Sequence, residues 1–283
     1  MTFDMNRTWN EALSLVRANF QLLAVIAGVF LLLPTVVFYL GFPEIIVPPA
    51  AGEQLSDDET IALAAKLFPA MILMILVQMV GYLAMIALIG GARPTVGEAI
   101  GSAVKALPTL LATFLTLVAI GVAGGFLLSI LLALVIVGLA LLVGEGALIG
   151  LTILLYIVLL GVMFYLYARI SPLLPVIAIE RARGFVQPLR RAWTLTKGAG
   201  TRLFAFFALL FVAYIVISMV AGIVLQALGL LTPEALTGGG VLAFALVASV
   251  IAALLAMLMS GILVSIHRQL AGKGPAADDE FDA

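Results

Sequence analysis

ARISPLLPVIAIERARGFVQPLRRAWTLTKGAGTRLFAFFALLFV, residues 168–212, decides how this chain is threaded. The stretch leaves one apolar run and enters another. Between them it carries Arg169, Arg181, Arg183, Arg190, Arg191, Lys197 and Arg202, seven of the fourteen basic residues in the chain. Short connections rich in Lys and Arg stay on the cytoplasmic side of a bilayer, so this one is expected to face inward. Within 185–198, Phe185, Leu189, Ala192, Trp193 and Thr196 recur at helical spacing, whereas Arg190, Arg191, Thr194 and Lys197 fall on other faces. The pattern predicts a short amphipathic helix with an aromatic anchor and a basic edge, lying in the headgroup layer. Gly198 and Gly200 are placed to end it. Such a segment can serve as a topology anchor alone. It can also bind anionic headgroups, at about 1 kcal/mol per basic side chain near the surface.

Composition supports the same class. Of 283 residues, 64% are hydrophobic and 10% charged, where soluble domains carry about 25% charged residues. Mean hydropathy is +1.28. The apolar runs do not alternate with polar residues, as the strands of a transmembrane barrel would. A net charge of −1 gives no footing for nucleic acid. The absence of Cys excludes disulfides, thiolate nucleophiles and iron–sulfur clusters. A single His, His267, argues against a His-based metal site or catalytic dyad within one chain. No set of acids, bases and ligands converges in the sequence, so the expectation is a protein without catalytic residues, metal or cofactor.

The expected fold is an all-α integral membrane protein, one membrane domain over 1–270. Residues 1–20 form an amphipathic helix with Met5, Trp9, Ala12, Leu13, Val16 and Phe20 as its stripe and Arg7, Asn10, Glu11 and Arg17 in water. Six spans follow, near 22–40, 68–90, 107–140, 147–169, 203–229 and 241–266. Pro34 should kink the first. Residues 41–66 form an external loop in which Ser56 and Glu59 make a capping box, starting a helix near Asp57. Thr95 and Glu98 make a second box, opening a short cytoplasmic surface helix over 93–106. The uncharged run 106–143 is either one long helix or two short ones broken at Gly121–Gly125. A single crossing places thirteen basic residues inside and only Lys66 outside. A double crossing would move the seven-charge loop outside, against the positive-inside bias. Six spans with both termini cytoplasmic is therefore the expected topology. Thr232 and Pro233 open an external turn, Gly238 to Gly240 form a hinge, and 271–283 is a disordered acidic tail. Small residues four apart, Gly121 with Gly125, Ser218 with Gly222, and Ala248, Ala252, Ala256 and Ser260, are expected to pack against neighbouring helices. Surface helix followed by span occurs three times, which reads as three copies of a surface helix plus two-helix hairpin, or as simple hairpin duplication.

The run Arg169, Pro175, Glu180, FVQPLRRAWTLTKG and Arg202-Leu203 resembles the membrane domain attached to some glycerophosphoryl diester phosphodiesterases. It is also similar to the YciC-like bacterial inner-membrane proteins. The resemblance covers about 35 residues and implies a bacterial inner-membrane protein connected with phospholipids or lipid-derived molecules. The phosphodiesterase barrel, with its metal-binding carboxylates and His, has no counterpart in this sequence. Candidate headgroup-binding residues are Arg169, Glu180, Arg190, Arg191, Trp193, Lys197 and Arg202. Arg169, Arg190 or Arg191 could pair with Glu180. The expected partners are anionic membrane phospholipids, with a second copy or another membrane protein also open. A transporter or channel is the competing reading. It lacks the paired intramembrane charges that reading would favour, and Gln78, Thr113, Thr116, Ser129, Tyr156 and Ser218 read better as helix–helix hydrogen bonds.

Overall fold

The computed structural model describes residues 3–45, 56–91, 94–140, 145–227, 229 and 239–272. The expected turn at Thr232 and Pro233, Arg93, and the tail from 273 on lie outside them. The described residues are helical almost throughout: α1 (Met5–Ala18), α2 (Phe20–Gly41), α3 (Asp57–Gly90), α4 (Val96–Ala140), α5 (Glu145–Ile170), α6 (Leu173–Ala178), α7 (Gln187–Leu195), α8 (Gly200–Ala227) and α9 (Gly239–Leu270). Six of these helices are long and apolar enough to cross a membrane. Leu160 is 70% exposed and Ile223 66% exposed. Long apolar faces of this kind are stable only in contact with lipid. This is a multi-pass membrane protein.

The helix ends follow local chemistry. Asp4 caps α1 by accepting from Arg7 N–H at 3.0 Å. The Ser56–Glu59 capping box starts α3 as expected, and Thr95 with Glu98 closes a second box at 2.8 and 3.3 Å. α2 makes one π turn over Gly28–Leu32 immediately before Pro34. Proline cannot donate to the preceding turn, and the wider turn absorbs the mismatch. Thr35 Oγ1 donates to Leu31 O at 2.6 Å and accepts from Gln78 Nε2 at 3.1 Å, tying α2 to α3. Gln78 is thus a helix–helix hydrogen bond, as expected.

The core gathers at the basic end of the bundle, where α2, α3 and α9 meet. Leu23, Ile26, Leu83, Met85, Ile86, Ile262 and Ile266 are fully buried there. Lipid is as apolar as leucine, so association depends on close packing more than on burial. Gly81 shows this: a Cβ on it would lie 2.6 Å from Phe30 Cβ. Gly261 does the same for α1, which lies across α9. A Cβ there would lie 2.9 Å from both Ala12 O and Val16 Cγ2. α5 and α8 form a separate pair joined by rings, with Phe164–Phe204 centroids 5.6 Å apart and Tyr167–Phe207 5.8 Å apart.

Three expectations are corrected. The surface helix over 93–106 is not a separate element. It is the start of α4, which runs unbroken through Pro108 and Gly121–Gly125 to Ala140. At 45 residues it is ~68 Å long. Proline within membrane helices is tolerated where the freed carbonyl is otherwise satisfied. The expected threefold repeat is thereby left with two copies of its surface helix, α1 and α7. Second, Gly121 and Gly125 pack against nothing: no atom lies within 4 Å of a Cβ built on either. Third, on α9 Ala256 and Ser260 are buried, but Ala252 is exposed and Ala248 half-buried. The buried row instead continues through Ala253, Ser249 and Ala245, because 3.6 residues per turn rotates a strict four-residue repeat off the contact face.

Candidate functional site

The basic segment is held by structure on both sides. Beyond α5, Pro172 starts the buried turn α6, whose Pro175, Val176 and Ile177 pack under α3. The chain then crosses the open loop 179–186, where Arg181 has φ 53° and Gly184 φ 92°. A non-glycine residue in the left-handed region is uncommon and marks a tight local turn. α7 follows, burying Pro188 and Ala192 and exposing its arginines. Gly198, at φ 85°, turns the chain into α8 as expected.

Two side-chain clusters fix this segment. In the first, the Glu180 carboxylate accepts from Arg191 Nε at 2.8 Å and Nη2 at 3.1 Å, and contacts His267 Nε2 at 2.9 Å. Arg191 is therefore the partner among the three arginines considered. His267 is buried at the end of α9, 87 residues away in sequence, so Glu180 pins the basic loop to that helix. Partial burial pushes the Glu180 carboxyl up, but the hydrogen bonds and charges of Arg191 and His267 outweigh it and hold the group below its usual range. The same pairing raises Arg191. In the second cluster, Arg169 donates from Nη2 to Trp193 O at 3.0 Å, and its guanidinium stands 3.8 Å from the Trp193 ring centroid. Thr196, fully buried, donates to Arg169 O at 3.0 Å. A cation on the last carbonyls of a helix and over an indole face is favourable twice over.

Around the loop lie two clefts. The first has a volume of about 620 Å³ and is lined by Arg181, Arg183, Arg190 and Arg191, with Gln187 and Thr194. Its one carboxylate among the described lining residues, Glu180, is already engaged by Arg191 and His267. The second, about 430 Å³, lies on the other side of Arg181 and Arg183 against the first turns of α4, with Lys105, Ser102 and Thr109. Glu98 lines it too, but its carboxylate is bound to Thr95 N–H. Exposed Phe185 and Val186 sit beside these clefts.

The expected site residues thus divide. Arg190, Arg191 and Glu180 line one cleft. Arg169 and Trp193 fasten α5 to α7 and line neither cleft. Lys197 is exposed beyond α7. Arg202 turns away and donates to Phe3 O at 3.4 Å, anchoring the segment before α1. The structure brings in Arg181, Arg183, Lys105, Gln187 and Thr194, which the sequence reading did not select. Arg181 and Arg183 were visible as cations of the same basic segment, 169–202. Lys105 belongs to the site only because α4 packs beside the loop. No family model, curated protein or solved structure matches this chain.

Proposed function

We propose that this is a non-enzymatic protein of the bacterial inner membrane, with both termini cytoplasmic, that binds anionic phospholipid headgroups and organises or helps move those lipids. One observation carries the reading. Four arginines line an open cleft whose described acidic residue is already neutralised. Guanidinium groups bind phosphate oxygens bidentately, and a basic pocket at the ends of membrane helices is suited to a lipid phosphate. Phe185 and Val186 beside it, 62% and 50% exposed, suit the interfacial layer. The likeness of the Arg169–Leu203 run to the membrane domain of glycerophosphoryl diester phosphodiesterases and to the YciC-like proteins points the same way. The sorting of basic residues to this end of the helices supports the cytoplasmic orientation.

The test compares wild type with an Arg181→Gln, Arg183→Gln, Arg190→Gln variant in mild detergent, titrated with phosphatidylglycerol and phosphatidylcholine and read by native mass spectrometry. At about 1 kcal/mol per basic side chain, removing three should weaken phosphatidylglycerol binding roughly a hundredfold. Phosphatidylcholine binding should change far less. Equal phosphatidylglycerol retention by variant and wild type would sink the proposal.

A further inference from the structure

A third cavity, about 690 Å³, lies between α4 and α5. Its α4 wall runs from Leu117 to Ile136 and includes Gly121, Gly124 and Gly125; its α5 wall runs from Leu166 to Tyr156. A Cβ on any of the three glycines would meet no atom within 4 Å, so their small size holds a groove open and joins no helices. The lining is apolar apart from Ser129 and Tyr156.

Both walls lead to the basic loop. On α4, Thr113 Oγ1 lies 3.4 Å from Gly184 O, so the loop crosses α4 one helical turn, ~6 Å, below Leu117. On α5, Leu166 stands three residues before Arg169, which is fastened to Trp193. The stretch walled by both helices, Leu166 to Tyr156, is ~15 Å deep, half of the ~30 Å hydrocarbon core and so the depth of one leaflet. The cleft lined by Lys105, Arg181 and Arg183 lies along α4 on the other side of the loop crossing, its last α4 residue, Thr109, ~12 Å before Leu117.

We infer that the groove between α4 and α5 holds an acyl chain of an anionic phospholipid whose phosphate is held by Arg181 and Arg183. This rests on the proposed headgroup reading and extends it from a surface attraction to a site for one whole lipid. Charge selects the occupant at the head, and the glycine face of α4 gives its chain room.

The chain has no cysteine, so a single Ser129→Cys variant takes a fluorescent label at one place in the groove. It is reconstituted in bilayers containing phosphatidylglycerol or phosphatidylcholine with brominated chains, and quenching is compared. Brominated phosphatidylglycerol should quench preferentially, by about fivefold for each arginine engaged. The preference should vanish with Arg181→Gln plus Arg183→Gln. It should vanish equally with Gly124→Leu, which narrows the groove at a position where an added Cβ has no protein atom within 4 Å. A label at Val220→Cys, on the lipid-facing side of α8, should show no preference. Equal quenching by the two lipids at position 129 overturns the inference. Binding of short-chain phosphatidylglycerol separates the two failures. If it persists and still needs Arg181 and Arg183, the groove assignment alone falls. If it is absent, the headgroup reading falls with it.

Discussion

Replacing Glu180 with Gln should move stability and lipid affinity in opposite directions. The amide keeps one acceptor oxygen but loses the charge and the two-point grip on Arg191. Charge-assisted hydrogen bonds contribute about 1.5–3 kcal/mol each when well shielded. The Arg191 side chain is 46% exposed, which reduces its share to below about 1 kcal/mol, whereas the His267 side chain is 3% exposed and its contact is weakened inside the protein. The net cost should be about 1–2 kcal/mol, or a fall of roughly 2–6 °C in Tm. Trp193, on the segment being released, reports the transition by intrinsic fluorescence. At the same time Arg191 is freed into a cleft that has lost its one described carboxylate, so phosphatidylglycerol should bind about fivefold tighter. Arg191→Gln removes the same pair from the other side, and there both stability and affinity should fall. The pairing also fixes a pH dependence. The folded carboxyl titrates below its ordinary 4.5, so its stabilisation is complete above that pH and is lost as pH falls through the lowered value. The acid limb of Tm against pH should therefore be shallower in Glu180→Gln. Unchanged Tm together with unchanged or weaker lipid binding would refute the reasoning.

Two other outcomes test the frame. Gly261→Leu should lift α1 from α9, because the obstruction is the Ala12 backbone oxygen, which has no rotamer to escape into; overpacking of this kind costs about 1–3 kcal/mol. The readout is faster trypsin cleavage at Arg7 and Arg17, with Gly261→Ala intermediate, and an unaltered cleavage rate counts against the latch. Phe185→Cys should resist a membrane-impermeant maleimide on intact cells and react after permeabilisation; labelling of intact cells would reverse the orientation.

Much of the frame was legible in the sequence because it rests on local or additive quantities. Run length and hydropathy locate the six helices, and the Ser56–Glu59 and Thr95–Glu98 boxes act within one turn. α7 was legible because Leu189, Ala192, Trp193 and Thr196 recur at helical spacing, although the face that is buried runs through Pro188, Ala192 and Thr196 and leaves Phe185 and Trp193 exposed. What could not be read depends on which helix stands beside which. Gly121 and Gly125 show the same spacing as a packing motif, but spacing does not reveal whether a partner is present. Gly81 and Gly261, isolated glycines without a motif, turned out to mark the close crossings. The Glu180–His267 pair joins residues 87 apart, and nothing near either one announces the other. The surface helix expected over 93–106 has no end at 106 because Pro108 sits inside the unbroken α4, and a proline breaks a helix less readily in a membrane than in water.

The clasp of α1 on α9 has a consequence for biogenesis. Asp4 N–H donates to Gln269 Oε1 at 3.2 Å, and Ser265 Oγ donates to Glu11 at 3.0 Å, contacts separated by more than 250 positions. A helix emerging early from the ribosome must therefore wait through five insertion events for the neighbour that covers Thr8 and Ala12. Until then its apolar stripe has only the bilayer surface to rest on. The amphipathic character of α1 serves the nascent chain first, as a temporary float, and the finished protein afterwards, as the seam that closes it.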